Sequence, residues 1–178
     1  GARRMVKDGL FELFPCDAVY GLHNMPGLAT DEIAVVEGPQ LASSDSWRVT
    51  LRGTGTHGAK PHLGHDPMPA LAAFLAALQT IPGRDVDPLQ PAVVSACSIR
   101  AGNPEALNVI PETIEIGGTA RAYDPHVRDQ LEAGIGRLAH GAAAMAGIAA
   151  EYTYIRRSPP VINDPDATAR ALGAARDV

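Results

Sequence analysis

Cysteine is scarce in this chain of 178 residues. Cys16 and Cys97 alone are present, too few for a disulfide scaffold and too far apart for a metal motif. Such usage is read as that of a reducing cytosol. Aromatic residues make up 4%, and the central strands lack the paired rings on which an RNA-binding sheet stacks bases. Basic residues are outnumbered, 15 against 20 acidic, for a net charge of −5. That balance argues against a nucleic-acid or anionic-membrane partner. No apolar run approaches the roughly 20 residues needed to cross a bilayer. The chain also lacks a phosphate-binding Gly loop, a Gly-x-Ser-x-Gly elbow and a Cys-His pair at catalytic spacing.

What is present describes a folded protein. Hydrophobic residues are 46% and charged residues 20%, and the length suffices to bury a core. Residues 5–14 predict a short helix weakened by Gly9, 17–23 a short buried strand ending at His23, and 32–37 a further strand. Trp47, Val49 and Leu51 alternate with Arg48, Thr50 and Arg52, the period of a strand with one buried face. Asp66-Pro67 and Asp124-Pro125 each open a helix with a capping carboxylate and a proline. Pro82-Gly83 closes the first of these, and Gly147 caps the second. Strands are expected over 91–100, 112–123 and 150–156. The order from 44 to 156 is β-α-β-β-α-β, so the fold class is α+β, a ferredoxin-like unit with two helices on one face of a four-stranded antiparallel sheet. Residues 1–42 and 159–178 have no place in that unit. They read as two edges of a second domain into which 43–158 is inserted. The chain opens on Gly1-Ala2-Arg3-Arg4 without an initiator methionine and stops inside a predicted helix, so both ends are expected to be cut.

Four residues stand out chemically. His57 lies in the glycine-rich stretch 53–58, where glycine permits unusual backbone angles and close approach of a ligand. There it is either a donor to a substrate oxygen or a solvated loop histidine. His62 and His65 lie near it, but the segment holds no carboxylate and no helical i, i+4 ligand pair, so it does not read as a zinc site. His23 is a metal ligand at a strand tip or a satisfied core histidine. Asn108 either grips a carbonyl or carboxylate through its amide or opens an Asx turn. Arg121, after Gly117-Gly118, either clamps a carboxylate or pairs with a neighbouring acid.

The ordered motifs Gly21-Leu22-His23-Asn24, Gly53-x-Gly55-x-His57-Gly58-Ala59-x-Pro61-His62, Asp66-Pro67, Leu78-Gln79-Thr80-Ile81, Asn108-Val109-Ile110-Pro111, Gly118-Thr119-x-Arg121 and Pro159-Pro160-x-x-Asn163-Asp164 resemble those of the M20 metallopeptidases. The match is to the amidohydrolase branch that includes hippurate and N-acyl-amino-acid hydrolases. The resemblance implies a zinc-binding catalytic domain carrying an inserted satellite domain that mediates dimerisation. His23 would be a metal ligand. His57 would be the satellite histidine that reaches the partner subunit's active site, Asn108 a substrate contact, and Arg121 a neighbour of the substrate carboxylate. Thr56 departs from the glycine that many relatives carry. By the same resemblance the remaining ligands and a Glu-Glu pair fall outside residues 1–178. The intact protein would use two divalent metal ions (zinc, or manganese, cobalt or nickel) to hydrolyse N-acyl or N-aroyl amino acids or small peptides as a homodimer. The 178 residues alone would neither hold metal stably nor catalyse. The competing reading is a non-catalytic ferredoxin-like dimerisation or small-molecule-binding regulatory module.

Overall fold

Alternation in β2 (Ser44–Arg52) sets the architecture. Asp45, Trp47, Val49 and Leu51 point to one side and are buried, while Ser46, Arg48, Thr50 and Arg52 point to the other. β2 pairs antiparallel with β6 (Thr113–Ala122) on one flank and β7 (Ala149–Ser158) on the other, and β4 (Ala92–Ala101) joins beyond β6. The sheet order is β4-β6-β2-β7. α3 (Met68–Leu78) and α4 (Pro125–Met145) cover the apolar side, which completes the expected β-α-β-β-α-β unit. Trp47, Phe74, Leu131 and Ile135 fill the core, with Trp47 and Phe74 edge to face at 5.9 Å. The computed structural model describes residues 1–177.

Local chemistry explains the boundaries. Asp124 Oδ1 accepts from His126 and Val127, so α4 starts as expected on a carboxylate cap and a proline. In α3 Pro67 itself takes the cap position, and Asp66 before it accepts the Met68 N–H at 2.8 Å. α3 ends at Leu78, before Pro82-Gly83, which instead lie in one wide turn over Ile81–Asp85. Gly147, at φ +66°, takes the left-handed position after α4 that favours glycine. Gly118 is bare for a packing reason. A Cβ there would lie 2.2 Å from the Trp47 ring and 2.1 Å from the Ser95 carbonyl.

Two short strands, β1 (Gly38–Leu41) and β8 (Val161–Asn163), form a ribbon where the chain enters and leaves. Residues 38–162 make one compact unit, wider than the expected 43–158 because this ribbon, Asn163 excepted, belongs to it. Residues 1–37 and 163–178 make the other. In the latter, the helix expected over 5–14 is split at Gly9 (φ +89°) into α1 (Ala2–Lys7) and α2 (Leu10–Leu13). α5 (Pro165–Arg176) starts on Asp164, whose Oδ1 accepts the Ala167 N–H at 2.9 Å. The strands expected over 17–23 and 32–37 are not formed. No neighbouring strand among the described residues offers them ladder bonds.

A buried ion pair closes the sheet against α4. Asp45, 1% exposed, accepts from the Arg128 guanidinium at 2.6 and 2.7 Å, the Tyr154 hydroxyl at 2.9 Å and the Arg157 N–H at 3.1 Å. Burial pushes its carboxyl pKa up, but the donors Arg128, Tyr154 and Arg157 N–H outweigh that and hold it below the usual 3.8. A depressed pKa means the contribution is full above that usual value and fades as pH falls through the folded-state one. Asp45→Asn is therefore expected to destabilise the unit by about 3 kcal/mol at neutral pH. Chemical denaturation across pH 2–7 should show the gap between the two proteins narrowing on acidification.

Candidate active-site residues and family

His57 and Asn108 are brought together by a minor ladder too short to show a period in the sequence. β3 (Thr56–His57) pairs antiparallel with β5 (Val109–Ile110), His57 opposite Val109. Close backbone crossings hold this ladder. The Gly58 N–H donates to the Asn108 carbonyl at 2.7 Å, and Thr54 and His65 exchange backbone bonds at 2.9 and 3.2 Å. A Cβ on Gly53 would lie 2.0 Å from the His65 oxygen, and one on Gly64 2.5 Å from the Thr54 oxygen. None of Gly53, Gly55 and Gly58 has a positive φ. The expectation of unusual backbone angles is corrected: these glycines make room for other backbone.

The His57 ring is oriented by its own turn. Its Nδ1 accepts the Ala59 N–H at 3.0 Å, so the proton of the neutral imidazole resides on Nε2. The Asn108 amide nitrogen lies 3.5 Å from that Nε2. Both side chains are exposed. Neither N–H can accept from the other, so both remain available to a third, accepting group. Such a pair suits an oxygen that gains negative charge.

Arg121 stands elsewhere. Its Nη1 donates to the carbonyls of Asp45 (3.2 Å) and Ala120 (2.9 Å) and contacts the Thr119 hydroxyl. Neither of the sequence-level alternatives, a neighbouring acid or a free clamp, describes it fully: the backbone holds one nitrogen. Its Nη2 and Nε have no hydrogen bond among the described residues. Register places Arg121 at the Asp45 end of β2, whereas β3 follows the Arg52 end. At about 3.3 Å per residue, β2 alone separates these ends by about 23 Å. One small substrate cannot touch His57 and Arg121 of the same unit.

His23 belongs to the other compact unit and is exposed on irregular chain, not at a strand tip. Its Nδ1 lies 2.7 Å from the Asn24 carbonyl. A proton there leaves the Nε2 lone pair outward, the arrangement of a metal-binding histidine with its second nitrogen tied to a carbonyl. His23 thus fits the part of one ligand. No group of three metal-ligating side chains occurs among the described residues, so the rest of such a site is not built from them. His62 lies exposed in a single turn over Pro61–Leu63.

The sequence reading overlooked Asp45 and Arg128. The signal was there: Asp45 falls in register with Trp47, Val49 and Leu51, a carboxylate on the core face of an alternating strand.

A ferredoxin-like unit set between two segments of a second compact unit, with His57 and Asn108 at one end of its sheet, defines the class. Residues 41–145 match the M20 family model described as the peptidase dimerisation domain. The chain belongs to the M20 family. It is 36% identical over 175 residues to an N-acetyl-L-cysteine deacetylase of Bacillus subtilis, covering 98% of this chain and 41% of that protein. It is 35% identical to a hippurate hydrolase of Campylobacter jejuni, covering 100% of this chain and 46% of that protein. A solved Bacillus subtilis dinuclear metal-binding peptidase of the M20 family superposes with a TM-score of 0.74 at 31% identity, covering 99% of this chain and 43% of that one. The chain thus spans less than half the length of these relatives.

The geometry makes one spectroscopic demand. Long-range proton–nitrogen NMR of the neutral His57 ring should find Nε2 protonated and Nδ1 bare. The opposite tautomer would contradict the Ala59 bond.

Proposed function

We propose that these residues are the central part of a metal-dependent amidohydrolase that cleaves N-acyl or N-aroyl amino acids, or small peptides, as a homodimer. The observation that carries the reading is the donor pair of His57 Nε2–H and Asn108 Nδ2–H. Attack of water on an amide carbon drives charge onto the carbonyl oxygen, and two fixed donors lower the energy of that state more than of the flat amide. Divalent metal ions held by His23 with ligands outside these residues would supply Lewis acidity and an activated water. Arg121, through its remaining nitrogens, would pair with the substrate carboxylate. The relatives' names, an N-acetyl-L-cysteine deacetylase and a hippurate hydrolase, support an N-acylated amino acid as substrate.

The separation of the two ends supports the dimer. Each active site would take Arg121 from its own chain and His57 with Asn108 from the partner. The contact is best placed on α3 and the neighbouring edge strand β4. From Met68 to Leu78 α3 carries no charge, with Met68, Ala72 and Ala76 exposed. Val93 and Ile99 of β4 are each 49% exposed, and the strand has an unpaired edge. Gln79 joins the two, donating to the Val94 carbonyl at 3.0 Å. A cytoplasmic setting accords with the two free, exposed thiols, Cys16 and Cys97. The 178 residues alone are expected to be inactive, since most of the ligands lie elsewhere.

In the intact protein, His57→Ala should lower turnover of an N-acyl amino acid by about 10²–10³ with bound metal unchanged. Unaltered turnover would leave the donor pair without its role, and an absence of turnover in the unmutated intact protein would favour the non-catalytic module.

A further inference from the structure

The side of the sheet away from the helices carries a charge that the overall balance hides. Arg48, Arg52, Arg100, Arg121 and Arg157 project there against only Glu115 and Glu151, in a chain whose net charge is −5. Part of this face is a groove of about 520 Å³, walled by Arg48, Arg100 and Arg157 with Glu115 as its one carboxylate, and floored by Gly117 and Gly118. That volume is within the range of small-molecule sites.

Its cations are unevenly used. Arg157 Nε donates to the Ser46 hydroxyl at 3.1 Å, and Arg100 sits 3.6 Å from Glu115. Arg48, in the middle of the sheet, makes no hydrogen bond or ion pair among the described residues. Directly across the ladder from it is Gly117. Unlike Gly118, Gly117 answers no packing demand. Its φ is not positive, and a Cβ there would meet nothing closer than 3.9 Å. A glycine inside a strand weakens it; this one lies opposite the bulge of β4 between Ala96 and Ser98, and with no side chain it leaves the floor of the groove open.

We infer that this groove binds a small organic polycarboxylate. The ladder consumes the backbone N–H groups of the strand centres, so the groove offers no nest of amides of the kind that cradles phosphate. It offers planar guanidinium forks, which match carboxylates, with hydroxyls from Ser46 and Ser98 between them. At strand spacings of about 4.8 Å and a rise of about 3.3 Å per residue, Arg48 stands roughly 12–14 Å from Arg100 and from Arg157 along one diagonal. Long side chains leaning inward over that span suit two carboxylates on one molecule.

Calorimetric titration of the 178-residue chain with citrate tests this, with acetate and pyrophosphate as comparison ligands. Citrate should bind saturably at one site per chain and acetate should not. Arg48→Gln should weaken citrate at least tenfold. Gly117→Val should abolish binding while keeping or raising the melting temperature, since a β-branched residue suits an unstrained strand position. Absence of saturable citrate binding, or binding unchanged in both variants, overturns the inference. Pyrophosphate binding tighter than citrate overturns the carboxylate assignment.

Discussion

Everything in the inserted unit is referred to one buried charge. An isolated carboxylate in a protein interior is costly enough to unfold a small domain unless donors surround it. Asp45 has four such bonds, two from the Arg128 side chain of α4 and two from β7, the Tyr154 hydroxyl and the Arg157 backbone N–H. Because the donors lie on separate elements, satisfying Asp45 fixes where α4 lies over the sheet and where β7 ends. Its carbonyl also receives the Thr119 hydroxyl at 2.7 Å and the Arg121 guanidinium. The same residue that closes the core therefore sets the position of Arg121.

At the far end of β2 there is no buried charge, and order comes from backbone meeting backbone. Bare glycines let Thr54 cross His65 and let Gly58 reach the Asn108 carbonyl. A two-residue ladder results, rigid enough to tie a histidine tautomer to one N–H. The sheet between these ends is a spacer whose length strand geometry dictates. In the proposed enzyme that spacer is the reason for a dimer. A satellite domain that offers its arginine to one active site cannot offer its histidine to the same one, so two copies complete each other.

Much of this was legible in the residues, for physical reasons that can be named. The alternation of β2, the Asp-Pro helix starts and the αL glycine after α4 are local signals that need no tertiary context. They yielded the β-α-β-β-α-β order and one face of buried side chains. β3, β5 and the β1–β8 ribbon were not legible, because a two- or three-residue strand has no period to detect and exists only through its partner. The expected strand ending at His23 failed for the converse reason: its apolar run is real, but a strand needs a neighbour. Of the site, His57 and Asn108 were found and their contact was not. The distance from His57 to Arg121 became visible only with the register in hand. Asp45 was visible as a polar residue in an apolar frame, yet its partners lie far along the sequence, at 128 and 154.

The most direct test of the shared-site account is subunit complementation in the intact protein. Under that account, mixing and reassembling inactive His57→Ala and Arg121→Ala proteins gives heterodimers with one site that has both groups and one that has neither. Activity should then reappear, at up to half the wild-type value per heterodimer. If both residues served the active site of their own chain, every site in the mixture would lack one of them. A mixture that forms heterodimers yet stays as inactive as its components would contradict the account.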